Sequence, residues 1–373
     1  MSSSLEIQLI AIIIAVACSL PGAFLVLRKM SMMTDSITHT ILLGIVLAFF
    51  VTEDLNSPFL IVGATLIGVV TVWLTETLAK TKLLSGDSAI GIVFPLLFSI
   101  AIILITRFAD STHLCVDSVL LGELAFAPFN RMIVFGVDIG AKSLYTGGFL
   151  LGMNILFIVL LFKELKVATF DPVLASVMGI SPVVIHYSLM TMVSLTTVGS
   201  FEAVGSILVI AFMIGPPASA YLLTDNLKKL IIISAIFGAI SGVAGYNLAY
   251  ALDVSIAGSI AFVIGLIFFL VFIVAPKRGL VSVLLRKNRQ RNNFAQTTLY
   301  LHLFNHQDTE QAQIENGIDS ICTHLHWKRR KLDRVLKNTF KNDTIELIDK
   351  QLWITKKGIE CMNSSVSDIL ASD

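Results

Sequence analysis

The chain has 373 residues, of which 55% are hydrophobic and only 14% charged, with a mean hydropathy of +0.83. Soluble globular chains carry about 25% charged residues, so a purely water-soluble protein is excluded. The net charge of +1 hides an asymmetry: residues 1–276 hold 11 Lys and Arg against 15 Asp and Glu, whereas residues 277–373 hold 16 against 11. This pattern predicts a polytopic membrane domain over 1–276 followed by a soluble domain. Cys18, Cys115, Cys322 and Cys361 are far apart with no CxxC, which points to neither a disulfide framework nor a zinc knuckle.

The apolar run from Leu5 to Leu27 follows no basic segment and is too long for a signal-peptide core. It is long enough to cross the hydrocarbon slab, which takes about 20 helical residues. Further spans are expected at 37–52, 57–79, 87–107, 144–162, 184–199, 203–223, 228–250 and 256–275, nine in all, with only Glu202 dividing the 184–223 stretch. Gly215-Pro216-Pro217 is expected to kink or break the seventh span. Basic pairs (Arg28/Lys29, Lys80/Lys82, Lys163/Lys166, Lys228/Lys229) and the Lys277–Arg291 cluster fall in alternate connections, with acidic residues in the others. The positive-inside rule therefore predicts an outside N-terminus and a cytoplasmic tail.

Ionisable groups at membrane depth are costly and mark function. Asp35 and His39 open the second span four residues apart, which on a helix places a carboxylate and an imidazole on one face. That pair offers two ligands to a borderline divalent cation, and a two-fold dimer would supply four. A capping aspartate near the membrane surface with a histidine satisfied by a carbonyl is the other reading, and spacing alone leaves both open. Glu202 is a candidate secondary pathway or gate residue, or a plain outer-loop carboxylate. His113, Cys115, Asp117 and Glu123 form an outer segment that reads foremost as loop surface, and Glu76 and His186 sit where span ends snorkel to the interface.

Phe170-Asp171-Pro172 opens a short inner segment with an N-cap Asp and Pro at the first helical position, and Gly179 closes it. With Ala175 inside it, this is a self-contained helix suited to a cytoplasmic partner or to a simple connector.

The stretches Gly22 to His39, Asp87 to Phe94, Phe170 to Ile180 and Val204 to Ala218 together resemble the permease subunit of the metal-ion (zinc, manganese, iron) branch of ABC transporters. The resemblance implies an all-α polytopic permease of about eight to nine membrane helices, with Asp35 and His39 as transient pathway ligands. It also implies that Phe170, Asp171, Pro172, Ala175 and Gly179 belong to the helix that couples to the ATPase. Phe201 to Gly205 resembles the manganese/iron-type members more than the zinc-type ones. The implied partners are a separate ABC ATPase subunit, an extracytoplasmic metal-binding protein, a second permease copy and membrane lipid. No cofactor is permanently bound; the divalent metal is the cargo.

The tail departs from that family. Residues 277–296 read as a basic juxtamembrane linker attracted to anionic lipid. Helical runs at 297–306, 314–325 and 328–341 and a hairpin over 345–358 follow, in the order of a winged helix-turn-helix, a small α+β domain over 297–362 before a flexible 363–373. This stretch resembles the metal-dependent regulators of the diphtheria-toxin-repressor group. Lys328, Arg329, Arg330, Lys331, Arg334 and Lys337 lie where a recognition helix would contact nucleic acid or a partner. Membrane tethering favours a protein contact over DNA. A metal-sensing role for His302, His306, His324 and His326 ranks below both, because two residues of separation put His324 and His326 on different helix faces.

The resemblance implies a permease subunit, in the bacterial cytoplasmic membrane, of an importer for divalent transition metals; no phosphate-binding P-loop occurs in the chain, so a transporter component and not an enzyme is expected. An ATP-independent secondary metal carrier and a membrane-anchored metal-responsive DNA-binding regulator are the alternatives from other classes.

Overall fold

A computed structural model describes residues 3–54, 57–108, 124–134, 137–307, 312–348 and 351–370. The chain divides into two units, Met1–Gly279 and Leu280–Asp373. In the first, long apolar runs become helices because every backbone N–H and C=O must be paired inside the slab itself. These are α1 (Ser3–Leu27), α2 (Met32–Thr52), α3 (Phe59–Lys80), α4 (Gly86–Phe108), α5 (Lys142–Leu160), α8 (Pro182–Leu223), α9 (Leu227–Leu252) and α10 (Ile256–Val274), with the short α6 (Phe162–Phe170) and α7 (Pro172–Val177) between α5 and α8. A two-stranded antiparallel hairpin, β1 (Arg131–Val134) and β2 (Val137–Ala141), precedes α5.

Eight of these helices are long and apolar enough to cross a membrane, where the sequence suggested nine spans, because 184–199 and 203–223 lie within one helical run, α8. That run of 42 residues would measure about 63 Å if straight, twice the roughly 30 Å hydrocarbon core. It is not straight. Gly205 adopts φ 75° and ψ 169° inside it, a conformation essentially reserved for glycine. Thr197 Oγ1 lies 3.7 Å from Met213 Sδ, although a continuous helix would hold residues sixteen apart at about 24 Å. The run therefore doubles back at Gly205, and its two halves each reach membrane length. The break expected at Gly215-Pro216-Pro217 is not there: both prolines sit inside the second half.

The most enclosed span is α1, which packs against α5, α8 and α9. Close approach explains its small residues. A Cβ at Gly22 would stand 2.2 Å from the carbonyl oxygen of Met213, so only glycine lets these two backbones meet. Polar side chains between spans are spent locally. Asn154 Nδ2 donates to the Ala17 carbonyl (3.2 Å) and to Thr196 Oγ1 (2.8 Å), and Thr71 Oγ1 donates to Thr40 Oγ1 at 2.8 Å.

The second unit contains α11 (Leu280–His306), α12 (Ala312–Glu315), α13 (Ile318–His324), α14 (Arg329–Lys341), the antiparallel strands β3 (Ile345–Ile348) and β4 (Gln351–Ile354), and α15 (Lys356–Leu370). The segment expected to be a linker is instead largely helix, since α11 starts at Leu280. Leu299, Leu303, Ile321, Leu332 and Leu352 are fully buried together and form its own core. On α14 the apolar positions Leu332, Val335 and Leu336 face that core, leaving the basic ones exposed.

Replacing Gly205 by Ala is expected to destabilise the protein by roughly 1–3 kcal/mol, the cost of a side chain in that backbone region. Gly152→Ala, at a helical site with open space around the added methyl, is the control. Thermal unfolding of the detergent-solubilised protein should show a lowered midpoint for the first and none for the second.

Candidate functional site

Asp35 lies in the first turn of α2 rather than at its cap. Residue Ser31 holds the cap position with helical backbone angles and no side-chain hydrogen bond. This disfavours the capping reading of Asp35, whose carboxylate is free to face outward. Its Oδ1 lies 3.5 Å from His39 Nε2, with both side chains about one-third exposed (36% and 35%). The neighbouring positions Thr34, Ser36, Ile37 and Thr38 are buried. The His39 ring rests against Phe94 at 5.4 Å and, edge-on, Phe98 at 6.1 Å, so α4 fixes the ring plane. Among the described residues no group of three metal-ligating side chains comes together. The pair therefore offers two donors, and a full coordination sphere needs ligands from outside this chain.

A second polar cluster lies at the ends of α1 and α3 and the start of α8, and sequence reasoning missed it. Arg28 Nε donates to Thr169 Oγ1 at 3.1 Å, and a guanidinium N–H stands 3.0 Å from His186 Nδ1. Arginine can only donate, so Nδ1 accepts and Nε2 carries the imidazole proton. That nitrogen meets Glu76 Oε1 at 2.5 Å, while the Tyr187 hydroxyl donates to Oε2 at 3.1 Å. Burial pushes the Arg28 guanidinium below its ordinary range, partly countered by the Glu76 charge. The cluster borders an open cavity of about 530 Å³ that also reaches Pro172. Glu76 and His186 are therefore partners across two helices, not separate snorkelling groups.

Beside this cluster, the Asp171 side chain accepts from the Leu174 N–H at 2.9 Å and caps α7, while Gly179 closes the segment with φ 80°. Ala175 is the buried anchor of α7. Phe170, Val173, Leu174, Val177 and Met178 are exposed, an apolar rim around a capped peg. Lys277 and Arg278 hold the Asp225 carboxyl below the usual range through contacts of 3.0 and 2.7 Å, tying the end of α10 to the α8–α9 turn.

Glu202 does not join Asp35 and His39. It accepts from Asn130 Nδ2 at 3.0 Å and pairs with Lys142 Nζ at 3.2 Å, bracing the Gly205 turn against the β1–β2 hairpin and α5. His113, Cys115, Asp117 and most of their segment lie outside the described residues, as does Glu123. In the tail, Lys328, Arg329, Arg330, Lys331, Arg334 and Lys337 are all exposed. Arg329 is engaged by Asp319 at 2.9 Å and Asp333 at 3.4 Å, and Lys331 lies 4.1 Å over the Trp327 ring. Burial, then the neighbouring His306 and His324, hold His302 below the ordinary histidine range against its hydrogen bond to the Glu315 carbonyl.

Comparison with known proteins places these features. Residues 4–275 match the model of the ABC 3 transport family. The zinc transport system membrane protein TroD of Treponema pallidum is 39% identical over 356 residues, 95% of this chain and 97% of that protein. A match of that extent takes in most of the tail unit. The manganese transport system membrane protein MntD of Bacillus subtilis is 44% identical over 285 residues, 76% of this chain and 96% of that protein. Among solved structures, PsaBC from Streptococcus pneumoniae in complex with Fab superposes with a TM-score of 0.61 at 28% identity, covering 74% of this chain and 94% of that one.

His186→Leu is expected to leave a buried guanidinium N–H and a carboxylate oxygen without partners, at about 1–3 kcal/mol. Tyr187→Phe, which removes a single hydrogen bond, should cost less. Thermal unfolding of both variants in detergent measures the difference; equal midpoints would show that the cluster is not tied together as described.

Proposed function

Because this chain belongs to the ABC 3 transport family, we propose that it is the permease subunit of an ATP-driven importer of zinc or manganese. The observation that carries the reading is the Asp35–His39 pair: two metal-competent donors on one partly exposed helix face, joined by no third such side chain among the described residues. A second copy across a two-fold axis supplies the other two donors. A carboxylate and an imidazole from each copy make a mixed O/N site that accepts either borderline cation. Two soft-to-borderline and two hard donors also keep the ion weakly enough held to be released, as transport requires.

The chain moves metal and does not hydrolyse ATP; hydrolysis belongs to a separate subunit that docks on the cytoplasmic rim of α7. The capped Asp171, the buried Ala175 and the exposed apolar side chains around them suit that contact. Arg28, seven residues before Asp35, bonds to Thr169 just ahead of α7, so displacement of α7 has a short route to the head of α2. An extracytoplasmic binding protein delivers the ion at the opposite face. With the N-terminus outside, the doubling-back at Gly205 supplies the odd number of crossings that leaves the tail in the cytoplasm, in accord with the alternation of basic connections. In the tail, the four helices α11 to α14 precede the β3–β4 hairpin and α15. We assign this unit to protein contact, at the ATPase or between two tails, rather than to DNA, since Arg329 and Lys331 already have intramolecular partners.

Uptake of radioactive manganese and zinc by cells expressing the full transporter tests the assignment. At equal membrane abundance, Asp35→Ala and His39→Ala should each lower uptake by at least about tenfold, the lower end of what loss of even an indirect ligand contact costs a metal site. A chain ending at Gly279 should retain uptake. Normal transport by both point variants would remove the pathway role of this pair.

A further inference from the structure

The tail holds a concentration of metal-competent side chains that has no part in the transport reading. His302 and His306 lie in the last turns of α11, four apart and therefore on one face. Their ring centroids are 4.7 Å apart. His324, at the end of α13, meets the His302 ring edge-on with centroids 5.7 Å apart. Glu315, at the end of α12, is ion-paired through Oε2 with His306 Nδ1, and its backbone oxygen faces His302 Nε2 at 3.4 Å. Three imidazoles and a carboxylate from three helices thus share one locality, with the His324 ring exposed to solvent.

The spacing is that of ligands around one ion. A zinc–nitrogen bond is about 2.0–2.1 Å and the imidazole centre lies roughly 1.1 Å beyond the nitrogen, so two rings on a tetrahedral ion have centroids about 5 Å apart. The two observed separations bracket that value. The donor atoms do not yet converge, since no ready group of three exists among the described residues. Closing the site requires ring rotations and exchange of the His306–Glu315 ion pair for two metal bonds, with no change of helix order. We propose that His302, His306, His324 and Glu315 form a binding site on the tail for a zinc-class divalent cation. An imidazole-rich set selects zinc over manganese, which prefers oxygen ligands and stands lowest in the divalent affinity order. The site is independent of Asp35 and His39 and does not rest on their role. Occupied, it pins the end of α11 to α12 and α13, so tail conformation would follow cytoplasmic zinc.

The test uses purified, metal-free, full-length protein in detergent, titrated with Zn²⁺ by equilibrium dialysis and examined by zinc-edge X-ray absorption. Wild type should bind one more equivalent per chain than the His302→Gln/His306→Gln double variant, with a multiple-imidazole signature that the variant lacks. His324→Ala should weaken that equivalent at least tenfold, and it carries the test at an exposed position should the double variant fail to accumulate. Asp35→Ala/His39→Ala should keep the tail ion, which separates failure of this site from failure of the pathway. Equal stoichiometry and equal imidazole signal in wild type and both tail variants would overturn the proposal and leave the histidines as packing groups. Displacement of the tail zinc by equimolar Mn²⁺ would overturn the assigned cation class.

Discussion

A hydrocarbon slab gives unpaired polar groups no water to turn to, and the membrane unit is arranged around that fact. Thr65 and Thr75 return their hydroxyls to carbonyls one turn back on α3. Asn154 bridges α1 and α8, and Ser194 donates to the Thr65 carbonyl at 3.1 Å. Against that background of local satisfaction, the ionisable pairs stand out as places where the chain spends stability on something else. In the Arg28–His186–Glu76 cluster, Arg28 Nε and Nη1 meet Thr169 and His186 and the Glu76 carboxylate meets His186 and Tyr187, with only Arg28 Nη2 left without an acceptor among the described residues. The Asp35–His39 pair is not matched in this way: its contact is long, both groups remain partly exposed, and neither is enclosed by further polar partners.

The same constraint explains why one glycine matters so much. A loop at Gly205 would have to satisfy several backbone groups at the membrane face, whereas a single left-handed glycine reverses the chain within an otherwise helical run. Glu202 sits beside that turn and is held by Lys142 and Asn130. The second half then returns against α1, where Gly22 admits the Met213 carbonyl. One conformational exception thus sets the packing of α8 on α1, and α1 leads directly through Arg28 to the helix that carries the metal-competent pair.

Much of this was legible in the sequence. Apolar runs of spanning length identify helices almost without reference to tertiary context, and the i, i+4 spacing of Asp35 and His39 places them on one face whatever surrounds them. Asp171, Pro172 and Gly179 are local stop and start signals, and α7 follows them. What could not be read were relations across the fold. Arg28, Glu76 and His186 are separated by dozens of residues, and each alone resembles an interfacial side chain. Likewise His302 meets His324 only after α11 and α13 pack. The division of the 184–223 stretch, expected at Glu202, lies three residues on, at Gly205, because glycine within an apolar run has no local signature, while Gly215-Pro216-Pro217 has a strong one and yet stays inside a helix. The basic stretch from Lys277 read as linker because its hydrophilicity hides a helix that the tail core stabilises from its far end.

The central claim is that the transported ion rests between two copies of α2. Anomalous scattering at the manganese edge from crystals of the whole transporter loaded with Mn²⁺ tests it most directly. The account expects one peak on the two-fold axis of the permease pair, within bonding distance of Asp35 oxygens and His39 nitrogens of both copies. A peak at the Glu76–His186 cluster, with none near Asp35 and His39, would contradict it.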